Sequence, residues 1–243
     1  MAIVVGPGIT IEAGITIGGG FLPSVTLSYD LDAANYAAVP TNGSLDATGN
    51  YTITVSNTTS RIAWNSANGG VFRFTGTGTS TTDTIYGGPN WSTGQNYSVF
   101  MAYKLSTSAN GRLVNTQNEA VKDWLMGSYS NGATNYMNVF YPNNSVNLNS
   151  DVADTNWHFI WGTYNSSTTV ANLYIATNTQ PAAVYKTSTN AANGGFNQLR
   201  LFSRAAGSEV QTGDIGFIKA YSGVFTLADV QGLYNQYKTR FGY

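Results

Sequence analysis

The sequence predicts an all-β protein: a two-sheet antiparallel sandwich with an extended N-terminal arm and one short C-terminal helix. Three observations predict it. Charged residues make up only 9% of the 243 positions while aromatics reach 13%, 16 of them tyrosine; a soluble domain ordinarily carries about 25% charge. Asn, Thr, Ser and Gly fill the gap, a mixture suited to pleated strands joined by polar turns. Short apolar alternations recur along the chain with turn clusters between them, and one segment alone, 226–238, has convincing helical spacing. With 42% hydrophobic content, the chain can bury one large core or two modest ones, and sandwiches of this length are often a single domain.

Residues 1–24 form a separate glycine-rich β arm. Positions 8–13 (GITIEA) are followed by 14–19 (GITIGG), a six-residue repeat. Ile9, Ile11, Ile15 and Ile17 stand against Thr10 and Thr16, so each short strand shows one apolar face. Two such units cannot bury that face alone, and left exposed it would invite aggregation. The arm is therefore expected to dock through these isoleucines on another subunit, for anchoring or for oligomerisation.

The sandwich is expected over 25–243. Asp30 and Asp32 share one strand face across Leu31. The block 65–70 (NSANGG) reads as a turn feeding an alternating strand at Val71, Phe72 and Phe74. A Gly/Thr/Ser loop, Asp83 and a second apolar step at Ile85 and Tyr86 come next. Residues 97–105 alternate Tyr97, Val99, Met101, Tyr103 and Leu105 against Ser98, Phe100, Ala102 and Lys104. In 157–164, Trp157, Phe159 and Trp161 share a face opposite His158, Ile160 and Tyr164. Further strands are expected at 135–141, 171–176, 198–203 and 214–221. In the helix, Thr226 and Asp229 have capping-box spacing, and Leu227, Val230, Tyr234 and Tyr237 make its apolar stripe. Gly232 costs about 1 kcal/mol there relative to Ala, so packing must hold it. Lys238 and Arg240 suit its C-terminal dipole.

Several function classes are disfavoured. The net charge is −1 with no basic block, which argues against a nucleic-acid partner. Cysteine is absent, so disulfides, thiolate metal sites and a cysteine nucleophile are excluded. The N-terminus lacks a basic region and is broken by Gly6, Pro7 and Gly8, so no signal peptide is expected. No stretch approaches the ~20 apolar residues of a membrane span.

Catalytic constellations are scarce too, and no enzyme is expected. Glycosidic hydrolysis ordinarily uses two carboxylates, yet the three glutamates, Glu12, Glu119 and Glu209, are far apart and none has an acid two residues away. Asp30 and Asp32 read as structural, and Asp151 and Asp154 as turn caps. His158, the single histidine, reads as a packed or surface strand residue, which argues against zinc. The glycines at 18–20 and 87–88 are not followed by the Lys-Ser/Thr of a phosphate loop. Trp157, Phe159 and Trp161 are expected in a core. Tyr86, Trp91, Trp124, Tyr129 and Tyr141 lie in or beside turn-rich stretches. There they suit sugar stacking or, equally, core or interface packing.

Four pieces in order carry a family resemblance: NWHFIWGTYNSS at 156–167, the strand at 97–104, GDIGFIKAY at 213–221 continued by 224–230 and 233–235, and an opening LDAANY at 31–36 with Pro40 leading to the block 65–85. Over nearly all of 26–240 the chain resembles laminin-G-like (concanavalin A-like) jelly-roll domains of the kind found in bacteriophage virion proteins. The resemblance implies a jelly-roll and a non-enzymatic virion part: capsid decoration, a fibre, or a tail or neck appendage. Such a part is made in the host cytoplasm, anchored to other virion proteins by the arm, and oligomeric, with a trimer expected by fibre analogy. The low surface charge fits a component of a larger assembly. The alternative is a carbohydrate-binding adhesin that recognises host surface polysaccharide; a glycan hydrolase stands third. Two family acids are replaced here by Thr75 and Gly216. Asp83 survives in its loop, so no cofactor is expected, while calcium at Asp83 stays open.

Overall fold

In the computed structural model the described residues are 16–17, 20–21, 23–58, 60–75, 83–106, 111–117, 124–130, 135–143, 146–148, 151–152, 154–176, 181, 183–189, 195–204 and 209–243. Along the chain the strands are β1 (Thr16–Ile17), β2 (Gly20–Phe21), β3 (Thr26–Asp32), β4 (Thr54–Ser56), β5 (Ile62–Asn65), β6 (Val71–Phe74), β7 (Thr84–Trp91), β8 (Tyr97–Leu105) and β9 (Val114–Thr116). They continue with β10 (Leu125–Ser130), β11 (Asn135–Asn143), β12 (Val146–Leu148), β13 (Asp151–Val152), β14 (Trp157–Asn165), β15 (Val170–Ile175), β16 (Lys186–Ser188), β17 (Phe196–Leu201) and β18 (Gly213–Ser222). The helix α1 spans Leu227–Tyr237.

One sheet has the order β12-β11-β10-β9-β17-β7-β4, with β13 beside β11. The other runs β16-β15-β14-β8-β18-β6-β5, with β3 beside β18. Every ladder in them is antiparallel. This is the jelly-roll sandwich that the alternating segments lead one to expect. β1 and β2 pair only with each other. Of the four isoleucines expected to dock, Ile17 stands opposite Gly20, while Ile9, Ile11 and Ile15 lie outside the described residues.

Strand alternation sorts the apolar residues into two cores. The odd-numbered set of β8, from Tyr97 to Leu105, joins Phe74, Ile160, Tyr164 and Ile215 against Trp124, Met126, Phe140 and Phe196 of the facing sheet. The even-numbered residues Phe100 and Ala102 turn outward. With Phe159, Trp161, Phe217 and Tyr221 they form a second core, roofed by Val230, Leu233 and Tyr234 of α1 and by Phe241. Trp161 lies flat on Phe100, centroids 4.7 Å apart and planes 5° from parallel. Phe159 and Trp161 are thus core residues as expected, but beneath the helix rather than between the sheets.

Two glycines set close approaches. A methyl group on Gly162 would lie 2.6 Å from the Phe140 ring of the opposite sheet, so this glycine fixes the local sheet spacing. Gly216, at a register shift in β18, leaves room for the Phe241 ring, which a Cβ there would strike.

The capping box of α1 forms as the spacing predicts. Thr226 Oγ1 accepts from the Asp229 amide at 3.2 Å, and Asp229 accepts from the Thr226 amide at 2.8 Å. The same carboxylate accepts from the amide and hydroxyl of Ser24, each at 2.6 Å. Residue 24 is thereby fastened to the helix on the sandwich, which makes it the root of the arm.

Candidate functional site

The five aromatics singled out from the sequence go to three different environments. Trp124 is completely buried; its Nε1 donates to the Tyr97 hydroxyl at 2.9 Å, and Phe140 and Phe196 pack on its ring. Trp91 is 7% exposed and stacks on Tyr97 with centroids 5.4 Å apart. Both are inter-sheet core, so the expectation of sugar stacking is corrected for these two: no ring face is left to solvent. The turn signals around them had masked β7 and β10. Tyr86 is half-buried in β7, opposite Thr54 and Arg200. Tyr129 and Tyr141 do meet, with planes 6° from parallel and centroids 6.4 Å apart. Since Phe140 faces inward, alternation places Tyr141 on the outer side of its sheet.

The acids mostly serve structure. Asp83 is fully buried and accepts from the Arg61 amide at 3.0 Å and the Thr58 hydroxyl at 3.3 Å. Among the described residues no three His, Cys, Asp or Glu side chains gather as metal ligands would. Thr75 follows β6 directly, and its amide donates to Arg61 O. Asp30 takes Lys219 at 2.7 Å, and Asp32 takes Arg240 at 2.7 Å. Glu209 lies between Arg112 and Arg204, whereas Glu12 and Glu119 fall outside the described residues. Asp151, expected at a turn, sits in β13 opposite Met137.

A cleft of about 640 Å³ opens where β14 begins, lined by Lys104, Asp154, Asn156, Trp157, His158, Ala176, Phe241, Gly242 and Tyr243. Trp157 and Lys104 face each other across the β14–β8 ladder. The Trp157 ring leans on Phe241 at 4.5 Å, and its carbonyl accepts from the Tyr243 hydroxyl. Burial, together with Tyr234 and Asp154 nearby, pushes that hydroxyl up to about 12, so it keeps its proton and remains a donor.

His158 is held from both sides. Its Nε2 lies 3.0 Å from Asp154 Oδ1, and its Nδ1 lies 3.3 Å from Asn138 Nδ2. Asn138 is oriented in turn: its side-chain Oδ1 accepts from the Tyr103 hydroxyl at 3.1 Å, which sets Nδ2 toward His158, and its backbone N–H donates to that hydroxyl at 2.8 Å. Asn138 takes a positive φ of 54° at the register shift of the β10–β11 ladder. The network assigns the amide as donor to Nδ1, which leaves Nε2–H for Asp154. Burial pushes the Asp154 carboxyl up, but the Asn156 amide and His158 outweigh it and hold it below the usual range. Asp154 also accepts from the Asn156 amide at 2.7 Å, the turn role expected of it.

The cleft therefore offers two partly exposed rings, one carboxylate, an oriented imidazole, an amide and an ammonium. Groups of these kinds suit hydrogen bonding to, and stacking on, a polyol ring. Sequence reasoning missed it because Trp157 and His158 read as ordinary strand residues, while Tyr243 and Lys104 reach the site only through the fold. The recoverable signal was the pairing of the two strongest alternations, which sets Lys104 opposite Trp157.

No protein-family model matches the chain, and no curated protein matches it. Solved structures do. Domain 4 of AbnA, an extracellular GH43 arabinanase from Geobacillus stearothermophilus solved with arabinotriose, superposes with a TM-score of 0.57 at 16% identity, over 86% of this chain and 98% of that one. The binding domain of botulinum neurotoxin serotype D does so with a TM-score of 0.60 at 16% identity, over 87% of this chain and 51% of that one. A serotype D ligand-binding domain in complex with N-acetylneuraminic acid gives 0.59, also at 16% identity, over 87% and 52%. The chain thus spans about half the length of the toxin domains, and the likeness establishes the fold.

Proposed function

We propose that this protein is a carbohydrate-binding sandwich and that the Trp157–His158–Tyr243 cleft is its sugar site. One observation carries the reading: among the described residues, the cleft joins partly exposed aromatic rings to convergent polar groups already oriented by hydrogen bonds. A preorganised site of this kind spends less free energy on ordering when a ligand arrives. The arabinotriose bound to the arabinanase domain and the N-acetylneuraminic acid bound to the toxin domain support a sugar ligand. Among the described residues one carboxylate side chain, Asp154, lines the cleft, whereas hydrolysis commonly needs a pair, so the reading is binding without turnover. A glycan array probed with the whole chain tests it. Saturable binding that Trp157→Ala abolishes, with thermal unfolding still cooperative, is the expected result; binding to no glycan overturns the reading.

A second reading, favoured by the isoleucine repeat and by the fastening of Ser24 to α1, is display: the arm anchors the sandwich to a bacteriophage particle as decoration, fibre or tail appendage, in a trimer. Because Ser24 belongs to the helix cap, a truncation should stop at residue 22. The shortened protein is expected to fold and bind sugar but not to enter particles. Substituting Ile9, Ile11, Ile15 and Ile17 by Ser should lower the mass seen in light scattering.

A further inference from the structure

We infer that the cleft selects a carboxylate-bearing sugar, a uronate unit of an acidic polysaccharide, and that Lys104 is the residue that selects it; this rests on the sugar-binding reading above. The argument begins with the partners of Lys104. In register it stands between Asp214 and Trp157, so Asp214 is the acid nearest along the ladder. Both Asp214 oxygens are already taken by Arg73, at 2.7 and 2.8 Å. The acid that lines the cleft, Asp154, is held by His158 and the Asn156 amide. Lys104 thus has no ion pair or hydrogen bond among the described residues, whereas Lys219, two residues past the neighbouring Phe217, is closed onto Asp30 at 2.7 Å.

An unpaired lysine on a convex surface means nothing, because water solvates it well. Lys104 instead lines a concave site beside Trp157 and Phe241, where low-dielectric walls strengthen its field. The opposite charge of Asp154 makes the site directional. A sugar carboxylate is drawn to the ammonium and repelled from the Asp154 side, where ring hydroxyls donate to the carboxylate. One ammonium without an arginine fork matches a singly charged carboxylate better than a phosphate dianion, which arginines and backbone nests serve.

The test is calorimetric titration of the whole chain with matched oligosaccharide pairs that differ only at C6: galacturonate and galactose, glucuronate and glucose, mannuronate and mannose tetramers. At low salt the acidic member of the binding pair is expected to be about tenfold tighter, the worth of one charge-assisted hydrogen bond. Added salt should narrow the margin. Lys104→Gln should remove the preference, bringing the two members of the pair to equal affinity, and Lys104→Arg should retain most of it. Equal affinity for the two members, or a preference that survives Lys104→Gln, overturns the inference and leaves sugar binding standing. A sulfated tetramer bound more tightly than the uronate also overturns it. If no member of the panel binds while the glycan array shows another sugar bound, the inference falls and the sugar-binding reading stands; if the array is blank as well, both fall.

Discussion

Two aromatic clusters in this sandwich use the same residue types to different ends. Around Trp124, the rings of Trp91, Tyr97 and Phe196 close on one another between the sheets, and the indole N–H is spent on Tyr97. Around Trp157, the Phe241 ring packs on the indole and Phe159 in turn packs on Phe241 and Tyr243, while Trp157, Phe241 and Tyr243 all line the cleft. The difference lies in whether a second layer covers the last ring face. For the first cluster the facing sheet supplies that layer; for the second, α1 and Phe241 roof the sheet, and Phe241 covers Trp157 only in part. A tryptophan between polar turn residues is therefore no guide to a binding surface until the layer above it is known.

The largest effect that separates the clusters is on stability. Trp124→Ala should lower the unfolding free energy by about 3–5 kcal/mol, through lost burial and the cavity left behind, while the affinity of folded molecules for sugar stays unchanged in titrations. If affinity fell with it, the two clusters would not be independent. Gly162→Ala comes next: the added methyl meets Phe140, and forcing the sheets apart should cost about 1–3 kcal/mol in chemical denaturation.

The roof itself responds to pH. Burial pushes Asp229 up, but the Ser24 and Thr226 hydrogen bonds outweigh it and hold its carboxyl below the usual value. A depressed carboxyl stabilises the fold above its unfolded value of about 3.9, and that gain is lost as the pH falls through the lower folded value. Asp229→Asn should therefore cost about 1–2 kcal/mol at neutral pH, the worth of a helix cap. The gap from the parent protein should close below about pH 4 in denaturation curves. The smallest effect belongs to the outward pair: Tyr141→Ala should cost about 1 kcal/mol, mostly its stacking on Tyr129, and leave sugar affinity unaltered.

Much of the fold was legible because long alternations constrain it from both sides. The segment 97–105 coincides with β8, the capping box at Thr226 and Asp229 forms, and the turn at 65–70 feeds β6 as read. The departures have physical causes. Short strands such as β4, β9 and β16 have too few residues to show a period. The segment 125–130 carries Gly and Ser at a bulge, so a strand looked like a turn. The site was the least legible part, since its groups come from residues 104, 154–158 and 241–243. Local pattern identifies each of these as a strand, turn or tail residue, and only strand register brings them together.

The central claim is that sugar enters the Trp157 cleft. It is tested most directly by following the tryptophan indole and tyrosine ring resonances of the whole chain by NMR during titration with the neutral and uronate tetramers. The account predicts that at least one tetramer moves the Trp157 indole signal saturably while that of Trp124 stays in place. A panel in which no sugar moves Trp157, or in which the shifts gather on Tyr129 and Tyr141 instead, would contradict it.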